Sequence, residues 1–268
     1  MYQTIRLPLQ KLLDLLFPLA CLGCGDEGRW LCATCEQSLP SILANHCPFC
    51  EAKTNTGNTC ANCRSSHFLD GAISCIPYAH PLIQTMIHAW KYNGVSEITP
   101  SLAHFVLRSV RIAQADANNR RRNILQSGIS KHALYSIADT PPLITGEPIF
   151  IEPIPLHPKR EKERGFNQAY LLARHLVAEN KHWEIAHTTK RTKKTEAQAQ
   201  LSGIDRYTNI AGAFELTAPE AVRGKHVVLL DDVITTGSTT DALARLFKKS
   251  GALSVWALTI AYGHPVRP

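Results

Sequence analysis

No stretch of this 268-residue chain is long and apolar enough to cross a bilayer as a helix, and no segment is of low complexity. Internal repetition is confined to pairs of cysteines, which excludes a solenoid or propeller. Charged residues are only 19% of the chain against 44% hydrophobic, so an unfolded polyelectrolyte is excluded too. What remains is an ordered globular protein, large enough for one sizeable α/β domain and a small appendage. Acidic residues are the scarcer charge, 22 against 29 Lys and Arg, giving a net charge of +7. The excess is local. Residues 157–194 hold ten Lys/Arg against four Glu, and residues 101–125 hold five Arg against one Asp. Two basic segments suit polyanionic ligands, although a solvated helix face accounts for part of the pattern.

No export signal is expected either. Arg6, Lys11 and the run from Leu12 to Ala20 stand before Cys21 as in a lipoprotein leader, but Asp14 and Pro18 interrupt the run. A cytoplasmic protein is expected, with Leu9, Leu12, Leu13 and Leu16 at helical spacing and packed on the domain.

Cysteine is what the chain has in quantity. Eight of its nine cysteines form four C-x-x-C pairs: Cys21/Cys24, Cys32/Cys35, Cys47/Cys50 and Cys60/Cys63. Such a knuckle turns two thiolates toward one metal, and two knuckles complete a tetrahedral zinc site. Disulfides and redox pairs are the alternatives, and neither favours four repeated knuckles without export. Sequential pairing is the simplest: Cys21, Cys24, Cys32 and Cys35 on one zinc, and Cys47, Cys50, Cys60 and Cys63 on another. An interleaved cross-brace and a single occupied site stay open. Cys75, within Ala72-Ile73-Ser74-Cys75-Ile76, reads as a buried small hydrophobe, and His46 as a loop residue. Residues 1–66 carry five basic and five acidic side chains, so eight thiolates and two Zn²⁺ leave this module net negative. A structural or protein-binding module is expected rather than a general phosphate binder.

Beyond the cysteines, hydrophobic periodicity alternates strand with helix. Strands are expected at 72–78, 149–154, 185–188, 212–216, 225–230 and 253–261. Helices are expected at 81–92, 98–115, 167–179 and 238–249. Residues 116–146, with Arg120-Arg121-Arg122 and Pro141-Pro142, read as an irregular insertion or linker, and 189–209 as a polar loop. The alternation is that of a doubly wound parallel sheet.

Chemistry concentrates at Val227-Val228-Leu229-Leu230-Asp231-Asp232-Val233-Ile234-Thr235-Thr236-Gly237-Ser238-Thr239. A buried strand ends in two carboxylates, and a small hydroxyl- and glycine-rich turn opens into a helix. The turn's N–H groups and the helix's positive end can hold a phosphate. The carboxylates can accept from a sugar diol or hold the water shell of Mg²⁺. A second segment, Lys159-Arg160-Glu161-Lys162-Glu163-Arg164-Gly165-Phe166-Asn167-Gln168, supplies cationic donors just past a strand. Glu161 and Glu163 half-neutralise it, so an exposed charged turn is an equal reading of that segment alone.

The first stretch resembles the phosphoribosyl pyrophosphate (PRPP) motif of the type I phosphoribosyltransferases. The resemblance implies that Asp231 and Asp232 bind the ribose 2- and 3-hydroxyls, and that Thr235, Thr236, Gly237, Ser238 and Thr239 wrap the 5-phosphate. Lys159, Arg160 and Arg164 would then hold the pyrophosphate. His157-Pro158-Lys159-Arg160, Arg164-Gly165-Phe166-Asn167-Gln168, Lys91-Tyr92, Arg191, Thr195, Gln198, Leu201, Arg206 and Asn209, with the cysteine knuckles, are together similar to the competence protein ComF family.

That resemblance implies a double zinc ribbon over 1–67 and, over 68–268, a type I phosphoribosyltransferase-like parallel sheet with helices on both faces. It implies PRPP with Mg²⁺, structural zinc, and a part in DNA uptake, natural transformation or use of DNA, with a ComFA-like helicase as partner. Loop 189–209 would match a catalytic lid, with Arg191, Lys193 and Lys194 closing over pyrophosphate. No segment recognisable as a purine or pyrimidine reader is present, so the acceptor, and whether catalysis is retained, stay open. The reading from a different class is a non-catalytic adaptor for single-stranded DNA or a nucleotide and a helicase.

Overall fold

The computed structural model describes residues 19–126 (apart from 42, 55, 93 and 94), 141–193, 210 and 212–263. The packing expected of Leu9 to Leu16, and Lys194 to Asn209, lie outside the described residues. The cysteine region comes first, with two short helices, α1 (Ala33–Ser38) and α2 (Ala61–Arg64), each starting directly after a cysteine. Strand β1 (Gly71–Pro77) is buried almost throughout. Cys75 on it is fully buried, and burial pushes its thiol up to about 12, as suits a small apolar residue.

Helix α3 (Pro81–Tyr92) begins at a proline and buries Ile83, Met86, Ile87 and Trp90 on one face. Helix α4 (Thr99–Gln126) corrects the expected end near Ala115 and removes 116–126 from the irregular segment. After Pro100 in its first turn, no glycine or proline interrupts the chain until Gly128, so the apolar first half, packed on the core, propagates a polar helical second half. A short α5 (Pro142–Thr145) precedes β2 (Ile149–Pro153).

Helices α6 (Pro158–Arg164) and α7 (Gln168–Ala178) follow, and then β3 (Trp183–Ile185), which lies earlier than the strand expected at 185–188. The shift has a cause. Thr188 and Thr189 bind Glu152 on β2: its two carboxylate oxygens accept from both backbone N–H groups and both hydroxyls. They therefore turn the chain off the sheet edge. Strands β4 (Thr189–Arg191) and β5 (Phe214–Leu216) form a separate antiparallel ribbon beyond this turn. Glu152 is 1% exposed and carries four donors. Glu152→Gln keeps its volume but replaces an acceptor with a donor, and should cost about 2 kcal/mol in urea unfolding. A loss under 0.5 kcal/mol would mean that the ribbon is held elsewhere.

Strand β6 (His226–Ile234), helix α8 (Ser238–Lys249) and β7 (Ser254–Tyr262) complete the sheet. The five main strands are parallel in the order β1-β7-β6-β2-β3. Alternate residues divide between two cores. Val228, Leu230, Leu258 and Ile260 meet α3, α4 and α7, whereas Val227, Leu229, Val255 and Ala257 meet α8. Helices thus cover both faces, as expected of the parallel class.

The cysteine region is anchored into these layers. Cys21, Leu31, Cys32 and Leu39 belong to the α3/α4 core. The Arg108 guanidinium on α4 donates to the carbonyls of Glu36 (3.0 Å) and Leu39 (2.6 Å). No helix among the described residues is long and apolar enough to cross a membrane.

Candidate functional site

The cleft opens where β6 outruns a neighbour. β2 pairs with β6 only as far as Pro153 opposite Leu230, and Pro155, which has no N–H, follows. On its other side β6 continues against β7 to Ile234 opposite Tyr262. Asp231 and Asp232 therefore sit on a strand held along one edge and open along the other. The sequence places them at the end of a strand closing at Leu230; the structure places them inside a longer one. Ligand sites of open parallel sheets lie at such carboxyl-end crevices.

The crevice is about 200 Å³, and Lys91, Arg160, Arg164, Arg191, Asp231 and Asp232 line it. Asp231 Oδ1 accepts from the Asp232 N–H (2.9 Å), and Asp232 Oδ1 accepts from the Val233 N–H (2.6 Å). Lys91 Nζ lies 2.5 Å from Asp232 Oδ2. Burial pushes Asp231 up to about 6, against the downward pull of Lys91, Arg191 and Arg164. Burial also brings Lys91 down to about 8; Asp231 opposes this and Arg164 adds to it.

Arg160 and Arg164 reach the cleft from α6. This helix is started by His157, whose Nδ1 accepts from the Lys159 N–H (3.3 Å), and ended by Gly165 in the left-handed region at φ 81°. Arg164 donates to Gln168 Oε1 (3.0 Å), and its guanidinium lies 5.5 Å over the Tyr92 ring. Asn167 caps α7 and donates to the Ile154 carbonyl (3.2 Å), tying that helix to the strand end. Gln168 is 3% exposed, and its Nε2 has no partner among the described residues. Lys159 is apart from this group: it is exposed, pairs with Glu163 at 4.0 Å and does not line the cleft.

The phosphate-sized loop follows Ile234. Gly237 adopts φ 71° and stands as the N-cap of α8, a conformation that other residues rarely take. Thr236 Oγ1 donates to Ser238 Oγ (3.2 Å), and Thr240 Oγ1 to the Gly237 carbonyl (2.9 Å). Of the five loop residues named from sequence, Thr239 lines the cleft; Ser238 lines a neighbouring cavity beside His67 and Phe68.

Lys91 and Arg191 were not separable as site residues from spacing alone. Lys91 ends α3, where a cation also suits the helix dipole. Arg191 stands on β4, its guanidinium 5.3 Å over Phe214, and brings the first part of the expected lid into the cleft wall.

The cysteines gather as two sets in sequential pairing. Within Cys21, Cys24, Cys32 and Cys35, and within Cys47, Cys50, Cys60 and Cys63, the sulfurs lie within 4.8 Å of one another. Cys24 and Cys32 sulfurs are 3.6 Å apart, and those of Cys50 and Cys60 are 3.5 Å apart. A tetrahedron with Zn–S of about 2.3 Å requires sulfur separations near these. Contact with the Cys24 and Cys32 sulfurs pushes Cys35 up to about 12, so four charged sulfurs need a cation among them. The sets fit zinc. His46 stays outside them, edge-on to Tyr262 at 4.9 Å.

Parallel sheet, strand–loop–helix turn at its carboxyl edge and paired four-cysteine sets define a phosphoribosyltransferase-fold protein carrying a zinc ribbon. Residues 162–265 match the phosphoribosyl transferase domain, and residues 12–64 the double zinc ribbon domain. The DNA utilization protein YhgH of Escherichia coli K12 is 32% identical over 247 residues, which cover 85% of this chain and 96% of the relative. That of Salmonella typhimurium is 33% identical over 192 residues, 69% of this chain and 70% of the relative. Competence protein F of Haemophilus influenzae is 29% identical over 236 residues, 86% and 90%. The chain belongs to the competence protein F (ComF) family, a double zinc ribbon joined to a phosphoribosyltransferase domain.

Proposed function

We propose that the cleft binds PRPP with Mg²⁺ and that the protein acts in DNA uptake or use. The observation that carries the ligand is convergence: the Asp231–Asp232 pair, Arg160, Arg164, Arg191 and Thr239 meet at one crevice. Asp231 and Asp232 accept from the ribose hydroxyls, the turn from Thr235 to Thr239 holds the 5-phosphate, and Arg160 and Arg164 take the pyrophosphate. Asp231 and Asp232 would be the residues able to hold the water shell of Mg²⁺, which would supply neutralisation of the pyrophosphate charge. The reaction open to such a site is displacement at the anomeric carbon. The acceptor's lone pair forms the new bond, and the C–O bond to pyrophosphate breaks with its electrons leaving on oxygen. Fixed guanidinium groups stabilise that departing charge. The DNA role is supported by the relatives named for competence and DNA utilization.

Calorimetric titration with PRPP and Mg²⁺ tests the ligand, and no heat at millimolar PRPP overturns it. Affinity should be greatest between about pH 6 and 8. Below that window Asp231, raised to about 6, takes up a proton and loses its acceptor strength. Above it Lys91, lowered to about 8, loses the charge that helps hold an anion. Lys91→Arg does not titrate in this range and should flatten the alkaline limb; persistence of that limb assigns it to another group.

A second reading, an adaptor holding single-stranded DNA or a nucleotide and a helicase, has one feature in its favour. Tyr92 is 65% exposed beside four cationic side chains, a surface on which a base can stack. A salt series distinguishes it, because DNA affinity then falls steeply with salt and ignores Mg²⁺.

A further inference from the structure

The second cysteine set touches the phosphate loop through both of its arms. Phe49 is the last residue between Cys47 and Cys50. A Cβ built on Gly237 would lie 2.8 Å from Phe49 Cε1 and 3.3 Å from Cδ1, so the ring rests directly on the loop backbone. The His67 ring stacks on Phe49, centroids 3.7 Å apart and planes within 5°. His67 in turn hangs from the other arm, its N–H donating to the Cys63 carbonyl (3.0 Å).

The contact closes on itself across the first turn of α8. His67 Nδ1 is 3.1 Å from Asp241 Oδ2, and the Phe68 and Leu69 N–H groups donate to Asp241 Oδ1 at 2.7 and 3.1 Å. The Asp241 N–H donates to the Gly237 carbonyl (2.8 Å). Gly237 must hold its left-handed conformation for the following N–H groups to point at an anion. One face of that glycine is an aromatic ring whose place is set by four sulfurs. Packed interiors transmit small displacements, because a ring in van der Waals contact has no slack.

We propose that Phe49 is a positioning residue for the phosphate loop, and that metal in the Cys47/Cys50/Cys60/Cys63 set and a phosphorylated ribose in the cleft therefore strengthen each other's binding. The inference rests on the phosphoribose reading above. Coupling of this kind is reciprocal: if the metal orders the loop for its ligand, the ligand must retain the metal by the same factor. The proposal concerns the second set, which rests on the loop through Phe49, whereas the first set packs on α3 and α4.

The test uses the full zinc-loaded chain with PRPP–Mg²⁺ and, as a probe of the phosphate end alone, ribose 5-phosphate. Phe49→Ala should keep its zinc and lose about tenfold affinity for both probes, whereas Phe49→Tyr, which keeps the ring, should stay within about twofold. Phe49→Leu, matched more closely in volume, should behave like alanine and covers the case in which alanine misfolds. In the unaltered chain, saturating PRPP should raise the affinity for one of two zinc equivalents about tenfold in equilibrium competition with a chromophoric chelator. Unaltered affinity in both the alanine and leucine variants, or zinc affinity indifferent to PRPP, overturns the proposal while leaving the phosphoribose reading intact. If the unaltered chain binds neither probe, the phosphoribose reading fails and takes the coupling with it.

Discussion

Replacing Asp231 and Asp232 together with asparagine should reduce PRPP–Mg²⁺ affinity by at least about a hundredfold while leaving the fold intact. Charge-assisted hydrogen bonds to a diol contribute about 1.5–3 kcal/mol each, so losing two exceeds two decades of affinity. The fold should survive because the internal bonds of both residues use an oxygen that asparagine keeps. Asp231 Oδ1 accepts from the Asp232 N–H, and Asp232 Oδ1 from the Val233 N–H. Lys91 loses its carboxylate partner, and the cleft, stripped of its acids, becomes more attractive to any simple anion. The double variant thus separates the two readings in sign. A phosphoribose site loses its ligand, whereas a DNA-phosphate site keeps or gains affinity at low salt. Calorimetry with both ligands decides, and retained PRPP binding would show that the carboxylates do not face the sugar.

The parallel class, the helix at 81–92 and the helix at 238–249 were legible because apolar spacing agrees there with the final packing. The ligand sets of the cysteines were legible for a different reason, since the spacing within a knuckle is local. What the sequence could not convey is where distant segments meet. Arg160 and Arg164 lie in the cleft while Lys159, one residue away from Arg160, turns to Glu163. Seven residues of α6 span barely two turns, and only a helix in place decides which side of it faces the crevice. Lys91 and Arg191 both arrive from segments well before the motif at 227–239, and no periodicity links them to it. The contact of Phe49 with Gly237, 188 positions along, is likewise a property of the assembled layers.

Those layers make the zinc ribbon's removal the most damaging change available. Structural zinc contributes about 10–16 kcal/mol of apparent binding free energy in small zinc-finger peptides, comparable with or above the whole stability of a typical domain. Here the ribbon does not hang free. Cys21, Cys32, Leu31 and Leu39 are part of the α3/α4 core, and Arg108 holds two ribbon carbonyls. Asp241 takes three hydrogen bonds from the far end. Unfolding the ribbon would therefore expose apolar surface of the larger domain and leave both Arg108 and Asp241 without their partners. Cys32→Ser should release one of two zinc equivalents and lower the melting temperature of the entire chain by 10 °C or more, on the order of 3 kcal/mol or above. It should do so in one cooperative transition, read by calorimetry with metal analysis of the same sample. Two separate transitions, with the upper one unmoved, would mean that the sheet domain stands without the ribbon. In that case the contacts at Arg108 and Asp241 would be docking only, and the two halves of the chain would be energetically independent.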